Sequence, residues 1–106
     1  AESLLTCKVQ GQRGSVVQTV TFDLSEFADS MLVAKSVEIE DGKSVELTVG
    51  YLAAEGTRPA TGFLGINIQG PQMEPLAFSR HSLDMQSPEV FFRVHQLASV
   101  ICASQR

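Results

Sequence analysis

Hydrophobic and polar residues alternate with a period of two along most of this chain, the spacing of strands that bury one face. In "SLLTCKVQ" (3–10), Leu5, Cys7 and Val9 share one side and Thr6, Lys8 and Gln10 the other, until "GQRG" ends the run. "SVVQTVTFDL" (15–24) sets Val16, Val20, Phe22 and Leu24 against Thr19 and Thr21, with Gln18 out of pattern. "SEFADSML" (25–32) breaks the alternation. Ser25 is a candidate N-cap, and Phe27 and Met31 are spaced like one helical face, enough for a turn or two of helix near 25–31.

The hairpin "VAKSVEIEDGKSVELTVGY" (33–51) has a register that can be argued. A two-residue turn on Asp41-Gly42 would set Val37 opposite Glu46 and mix charge into the apolar face. A three-residue loop, Glu40-Asp41-Gly42 with Gly42 left-handed, pairs Val37 with Val45 and Val33 with Val49 instead. We therefore expect the three-residue loop.

"YLAAEGTRPATG" (51–62) is a loop by its Gly, Thr and Pro content, longer than a hairpin needs. In "FLGINIQG" (63–70), Leu64, Ile66 and Ile68 face one way, and Gly65 on the other face suggests a bulge or a neighbour's close approach. "LAFSRHSL" (76–83) reads as a short strand with Leu76 and Phe78 inward and Pro75 at its start.

"SPEVFFRVHQLASVICASQ" (87–105) fits two periods. As a helix it has Ser87 to cap, Pro88 at the first position, and seven residues from Val90 to Cys102 within an arc of about 140°. As a strand it has Val90, Phe92, Val94, Ala98, Val100 and Cys102 on one face, interrupted by Gln96. A helix would leave Phe92 and Val100 wet, and "VFFRV" has strand propensity, so the strand is preferred. Roughly six or seven short strands separated by Gly and Pro turns imply an all-β antiparallel β-sandwich or open barrel, formed by residues 1–106 as one domain. The alternative is a sandwich carrying a C-terminal helix over 88–102.

The cysteines extend this picture. Cys7 and Cys102 sit in similar β-branched settings near opposite ends of the chain. If the two terminal strands are neighbours, a bond between them closes a loop of about 95 residues and stabilises by about 4 to 5 kcal/mol on the chain-entropy model. Such a bond persists in an oxidising compartment, so an exported protein, periplasmic or extracellular, is expected. The opening Ala1-Glu2-Ser3 suits a mature form cut after a small-residue site as well as it suits a chain trimmed at that point.

Charge and composition mainly exclude. The net charge is −4, and no run of Lys or Arg exceeds one residue, so nucleic acid is not expected as a partner. No apolar stretch is long enough for a membrane-spanning segment. Two distant cysteines and two isolated histidines lack the spacing of a metal site, the glycines form no phosphate-binding motif, and no cofactor is expected. His81 in "SRHSLD" lies near Ser79, Ser82 and Asp84, but no nucleophile elbow accompanies it and it reads as a solvated loop residue. Glu38, Glu40 and Glu46 belong to the wet face of the hairpin rather than to a catalytic cleft.

What remains is surface for a protein partner. Met73 in "GPQMEP" and Met85 in "SLDMQSP" place flexible apolar side chains in polar loops, Arg58 is the charge on the 51–62 loop, and His81 lies on an edge-like strand. The expectation is a non-catalytic protein-binding domain, an accessory or assembly factor using Arg58, Met73, His81 or Met85. The alternative is a secreted or periplasmic enzyme inhibitor that acts through one loop.

Overall fold

The computed structural model describes residues 3–14 and 16–105; Ala1, Glu2, Ser15 and Arg106, with the readings that touch them, lie outside the described residues. Eight strands occur among the described residues: β1 (Leu4–Gly11), β2 (Val17–Asp23), β3 (Leu32–Glu38), β4 (Ser44–Leu52), β5 (Thr61–Gln69), β6 (Pro75–Leu83), β7 (Val90–Val94) and β8 (Ala98–Gln105). They form two antiparallel four-stranded sheets, in the orders β2-β1-β8-β7 and β3-β4-β5-β6. The two sheets pack as a β-sandwich, with β2 meeting β3 along one side and β6 meeting β7 along the other.

The strand count exceeds the expected six or seven because the last segment is two strands, not one. Val94 pairs with Ala98 and Val90 with Cys102 across a tight turn at His95 and Gln96. Gln96, which interrupts the alternation, is that turn. A helix over 88–102 is excluded, and the helix near 25–31 reduces to one 3-10 turn, Leu24–Glu26. Its cap is Asp23, whose carboxylate accepts from the Ser25 N–H at 3.0 Å, in place of the expected Ser25.

The core lies between the sheets and forms one cluster of buried residues, to which β1, β4, β5 and β8 each give an alternating row such as Val45, Leu47 and Val49. Burying each such side chain contributes about 1.5 to 3 kcal/mol. The outer strands β3 and β6 give much less, mainly half-buried Val33, Val37 and Ala77 and the buried Leu83.

Cys7 and Cys102 form a disulfide between β1 and β8, directly opposite each other in the register. Both sulfurs sit inside the core, and the bond joins the two central strands of the first sheet. The termini thus lie on neighbouring strands, as the sequence suggested. The β3–β4 hairpin also has the expected register, Val37 opposite Val45 and Val33 opposite Val49. Gly42 is left-handed, and so is Asp41, at φ 61°. Asp is among the few non-glycine residues that adopt this conformation readily.

The side where β2 meets β3 is bridged by side chains. Lys35 on β3 starts from the inner face, opposite buried Leu47, and donates through Nζ to the Thr21 carbonyl of β2 at 2.7 Å. It also lies 5.3 Å from the Phe22 ring centroid. In return Gln18 Nε2 on β2 donates to the Glu38 carbonyl of β3 at 3.5 Å. Charged and amide groups that occupy edge carbonyls in this way obstruct the addition of another strand.

Candidate functional site

Because strand side chains alternate, the residues between the buried rows of β4 and β5 face outward, away from β1 and β8. On β5 these are Phe63, Gly65 and Asn67; on β4 they include Thr48 and Gly50. The register places Gly50 beside Phe63, and a Cβ at Gly50 would collide with the Phe63 ring. Gly65 is less crowded: Thr48 Cβ and the Phe78 ring lie 3.7 and 3.8 Å from the place of a Cβ, ordinary contact distances. At Gly50 the missing side chain makes room for the aromatic ring of the neighbouring strand.

Phe78 comes from β6, and its position corrects the sequence reading. Leu76 and Phe78 were expected inward, yet Phe78 is 64% exposed and Leu76 is exposed beside it. The inward residues of β6 are Ala77, Ser79, His81 and Leu83, as their pairing with buried Leu64, Ile66 and Ile68 requires. A one-residue change of parity sends every side chain to the opposite face. Leu83 fixes that parity by entering the core, and a bulge at Ile68 and Gln69 absorbs the extra residue.

The outer face thus presents a connected set. Leu32 of β3 and Phe63 flank Gly50, the Arg80 guanidinium stacks 4.3 Å from the Phe63 ring centroid, and Phe78 and Leu76 continue along β6. At one end, a cleft of about 460 Å³ opens between the loop holding Met31 and the loop holding Arg58, with Gly50 and Phe63 at its base. At the other end, the β5–β6 hairpin closes with Met73 N–H donating to the Gly70 carbonyl at 2.9 Å. Met73 is 74% exposed and left-handed, at φ 62°, a position that favours glycine. A left-handed residue of this kind costs about 1 kcal/mol, so Met73 combines an exposed apolar side chain with a strained backbone.

Of the other residues singled out from the sequence, Arg58 lines the cleft at the end of this face, and Met85 and His81 lie off it. Met85 is 5% exposed and belongs to the core, so it is not presented to a partner. Arg58 is exposed but engaged within its own loop, donating through Nη2 to the Ala53 carbonyl at 2.9 Å and to Glu55 at 3.3 Å. His81 is a half-buried strand residue rather than a solvated loop residue. Its ring stacks on Phe92 at 4.4 Å between centroids, closing the side where β6 meets β7, and Nε2 lies 3.0 Å from Ser79 Oγ. The two side chains meet because residues two apart on a strand share a face. The Asp84 carboxylate accepts from the Gln86 N–H at 3.0 Å. Among the described residues no group of three or more His, Cys, Asp or Glu is placed to hold a metal ion.

Of the residues forming this face, Gly65 carried a signal in the sequence, its missing side chain pointing to a close neighbour. Phe63 was legible on the same face as Gly65, whereas Phe78 read as core because the parity of β6 was not known, and Arg80 and Leu32 carried no signal. Comparison of the chain with protein-family models, curated proteins and solved structures finds no match.

Proposed function

We propose that this chain is a non-catalytic protein-binding module of an exported protein, serving as an accessory or assembly factor. The observation that carries the reading is the connected outer face formed by Leu32, Phe63, Arg80, Phe78 and Leu76. Aromatic, Met and Arg side chains are the types enriched where proteins meet, and contiguous exposed apolar surface marks such contacts. The Cys7–Cys102 disulfide supports an oxidising compartment, periplasmic or extracellular. No helix among the described residues is long and apolar enough to cross a membrane.

The test is site-specific photo-crosslinking in the native host. A photoreactive residue replacing Leu32 should capture a different protein, whereas the same residue at exposed Thr19, on the opposite sheet, should capture none. Equal capture from both positions, or none from Leu32, overturns the reading. A second reading, the loop-acting inhibitor, has one observation in its favour. The loop over 53–60 is held by reciprocal backbone hydrogen bonds between Glu55 and Arg58, at 2.9 and 3.0 Å, and binding loops gain from such order. Arg58→Ala abolishing partner binding while Leu32→Ser leaves it intact would favour the inhibitor.

A further inference from the structure

The two open sides of the sandwich are treated differently. Between β2 and β3, Lys35 and Gln18 occupy the edge carbonyls of Thr21 and Glu38. Between β6 and β7 there is no hydrogen bond among those of the described residues; the contact there is the His81–Phe92 stack, made by side chains on the inner face. The backbone edge of β6 therefore keeps a row of N–H and C=O groups pointing away from β5. Pro75, which has no N–H, and the bulge at Leu76 interrupt this edge at its start, and the regular stretch from Ala77 to Leu83 is what it offers another strand as a template. β6 is nine residues long, Pro75–Leu83, and its outer face carries exposed Leu76 and Phe78.

We propose that β6 pairs antiparallel with β6 of a second copy of this chain, about a two-fold axis through Ser79. The sequence of the strand selects this occupant and this register. The axis at Ser79 keeps the paired residues 77–81 within the regular part of the strand, clear of Pro75 and the bulged Leu76. It also sets Phe78 of each copy opposite Arg80 of the other, a reciprocal cation and ring pair of the kind that Arg80 already makes with Phe63 in its own sheet. Moving the axis to Arg80 would oppose the two guanidinium groups, and moving it to Phe78 would leave Arg80 facing Leu76. A closed two-fold contact needs one patch complementary to itself, and this strand satisfies that condition. The β3–β6 sheets of the two copies then form one continuous sheet with their outer faces on the same side. This pairing involves the edge of β6 and needs no other protein, so it stands apart from the partner-binding reading.

A short strand pair of this kind lies at the low end of specific interfaces, at or below roughly 1,200 Å², so association is expected at about 10 to 100 µM. Sedimentation velocity and light scattering on the purified oxidised chain, raised to about 500 µM, should show a monomer–dimer equilibrium. Phe78→Arg places two guanidinium groups opposite each other twice per dimer and should weaken association at least about tenfold. Phe78→Glu, equally polar, faces Arg80 of the other copy and should keep the dimer, and Phe78→Arg with Arg80→Glu should restore it. Both positions are exposed on the outer face, and circular dichroism of each variant confirms folding. A chain that stays monomeric at the highest concentration overturns the proposal. So does a Glu variant that dissociates as fully as the Arg variant, or a dimer indifferent to all three changes.

Discussion

The β3–β4 and β7–β8 hairpins turn through the same number of residues with opposite sequence signatures. Three residues, Glu40-Asp41-Gly42, separate the paired Ile39 and Lys43; three residues, His95-Gln96-Leu97, separate the paired Val94 and Ala98. Both turns place two consecutive residues in the left-handed region, Asp41 and Gly42 at φ 61° and 73°, His95 and Gln96 at φ 46° and 57°. The extra residue of the loop precedes the pair in the first hairpin, as Glu40, and follows it in the second, as Leu97. Asp-Gly is a favoured dipeptide for such a turn, and His-Gln is not.

The strands explain the difference. β3 is an edge strand whose side chains are exposed or half-buried, so little tertiary burial holds it against β4. Its turn must carry a large share of the register. β7 and β8 bury Phe92, Val94, Ala98, Val100 and Cys102, and the disulfide fixes Cys102 to β1. There the register is imposed from outside, and the turn follows even though His95 and Gln96 each adopt a costly conformation. Local signals are strong where packing is weak, and they lapse where packing suffices.

This comparison can be broken at several points. Replacing both Cys7 and Cys102 by Ala removes the external restraint on the second hairpin. Denaturant titration should show a loss of about 4 kcal/mol, and amide exchange should rise in β8 more than in β4. Gly42→Val strikes the first hairpin at its local signal. A β-branched residue at φ 73°, with its Cβ 2.9 Å from that of Pro71, should lower stability by about 2 kcal/mol, with the midpoint of thermal unfolding as the measure. Writing the missing signal into the second hairpin, with His95→Asn and Gln96→Gly, should raise stability by about 1 kcal/mol. If it does not, the left-handed pair there is not strained. Asp41→Asn retains left-handed tolerance and loses the exposed contacts to Arg13 at 3.2 Å and Lys43 at 3.7 Å, so the change should stay within about 0.5 kcal/mol.

The two turns also show how far the sequence could be read. The Asp41-Gly42 hairpin was legible down to its register because a one-residue slip would have put Glu46 opposite Val37. The second hairpin was read as one strand because a three-residue loop preserves parity: Val90, Phe92 and Val94 and then Ala98, Val100 and Cys102 remain in one alternating series across the turn. Nothing at 95–97 has turn chemistry. β6 failed for another reason. Both of its faces carry apolar residues, Leu76 and Phe78 on one and Ala77 and Leu83 on the other, so hydrophobicity could not decide which is inside. Residues in β5 decide it, through pairing such as Ile66 opposite Ser79. The candidate surface was therefore hidden behind that parity, whereas the Cys7–Cys102 bond was visible from two matching strand contexts.

That bond has a mechanical consequence. It lies close to both termini along the chain, across a sequence separation of 95. Tension applied through the ends would enter β1, cross directly to β8 through the two sulfurs, and leave, without loading the polypeptide between them. A stretched molecule would keep the polypeptide between the two cysteines, with the β3–β6 sheet and its outer face, out of the load path. The covalent link makes the domain behave under load as a stiff bead on a string rather than as an extensible spring.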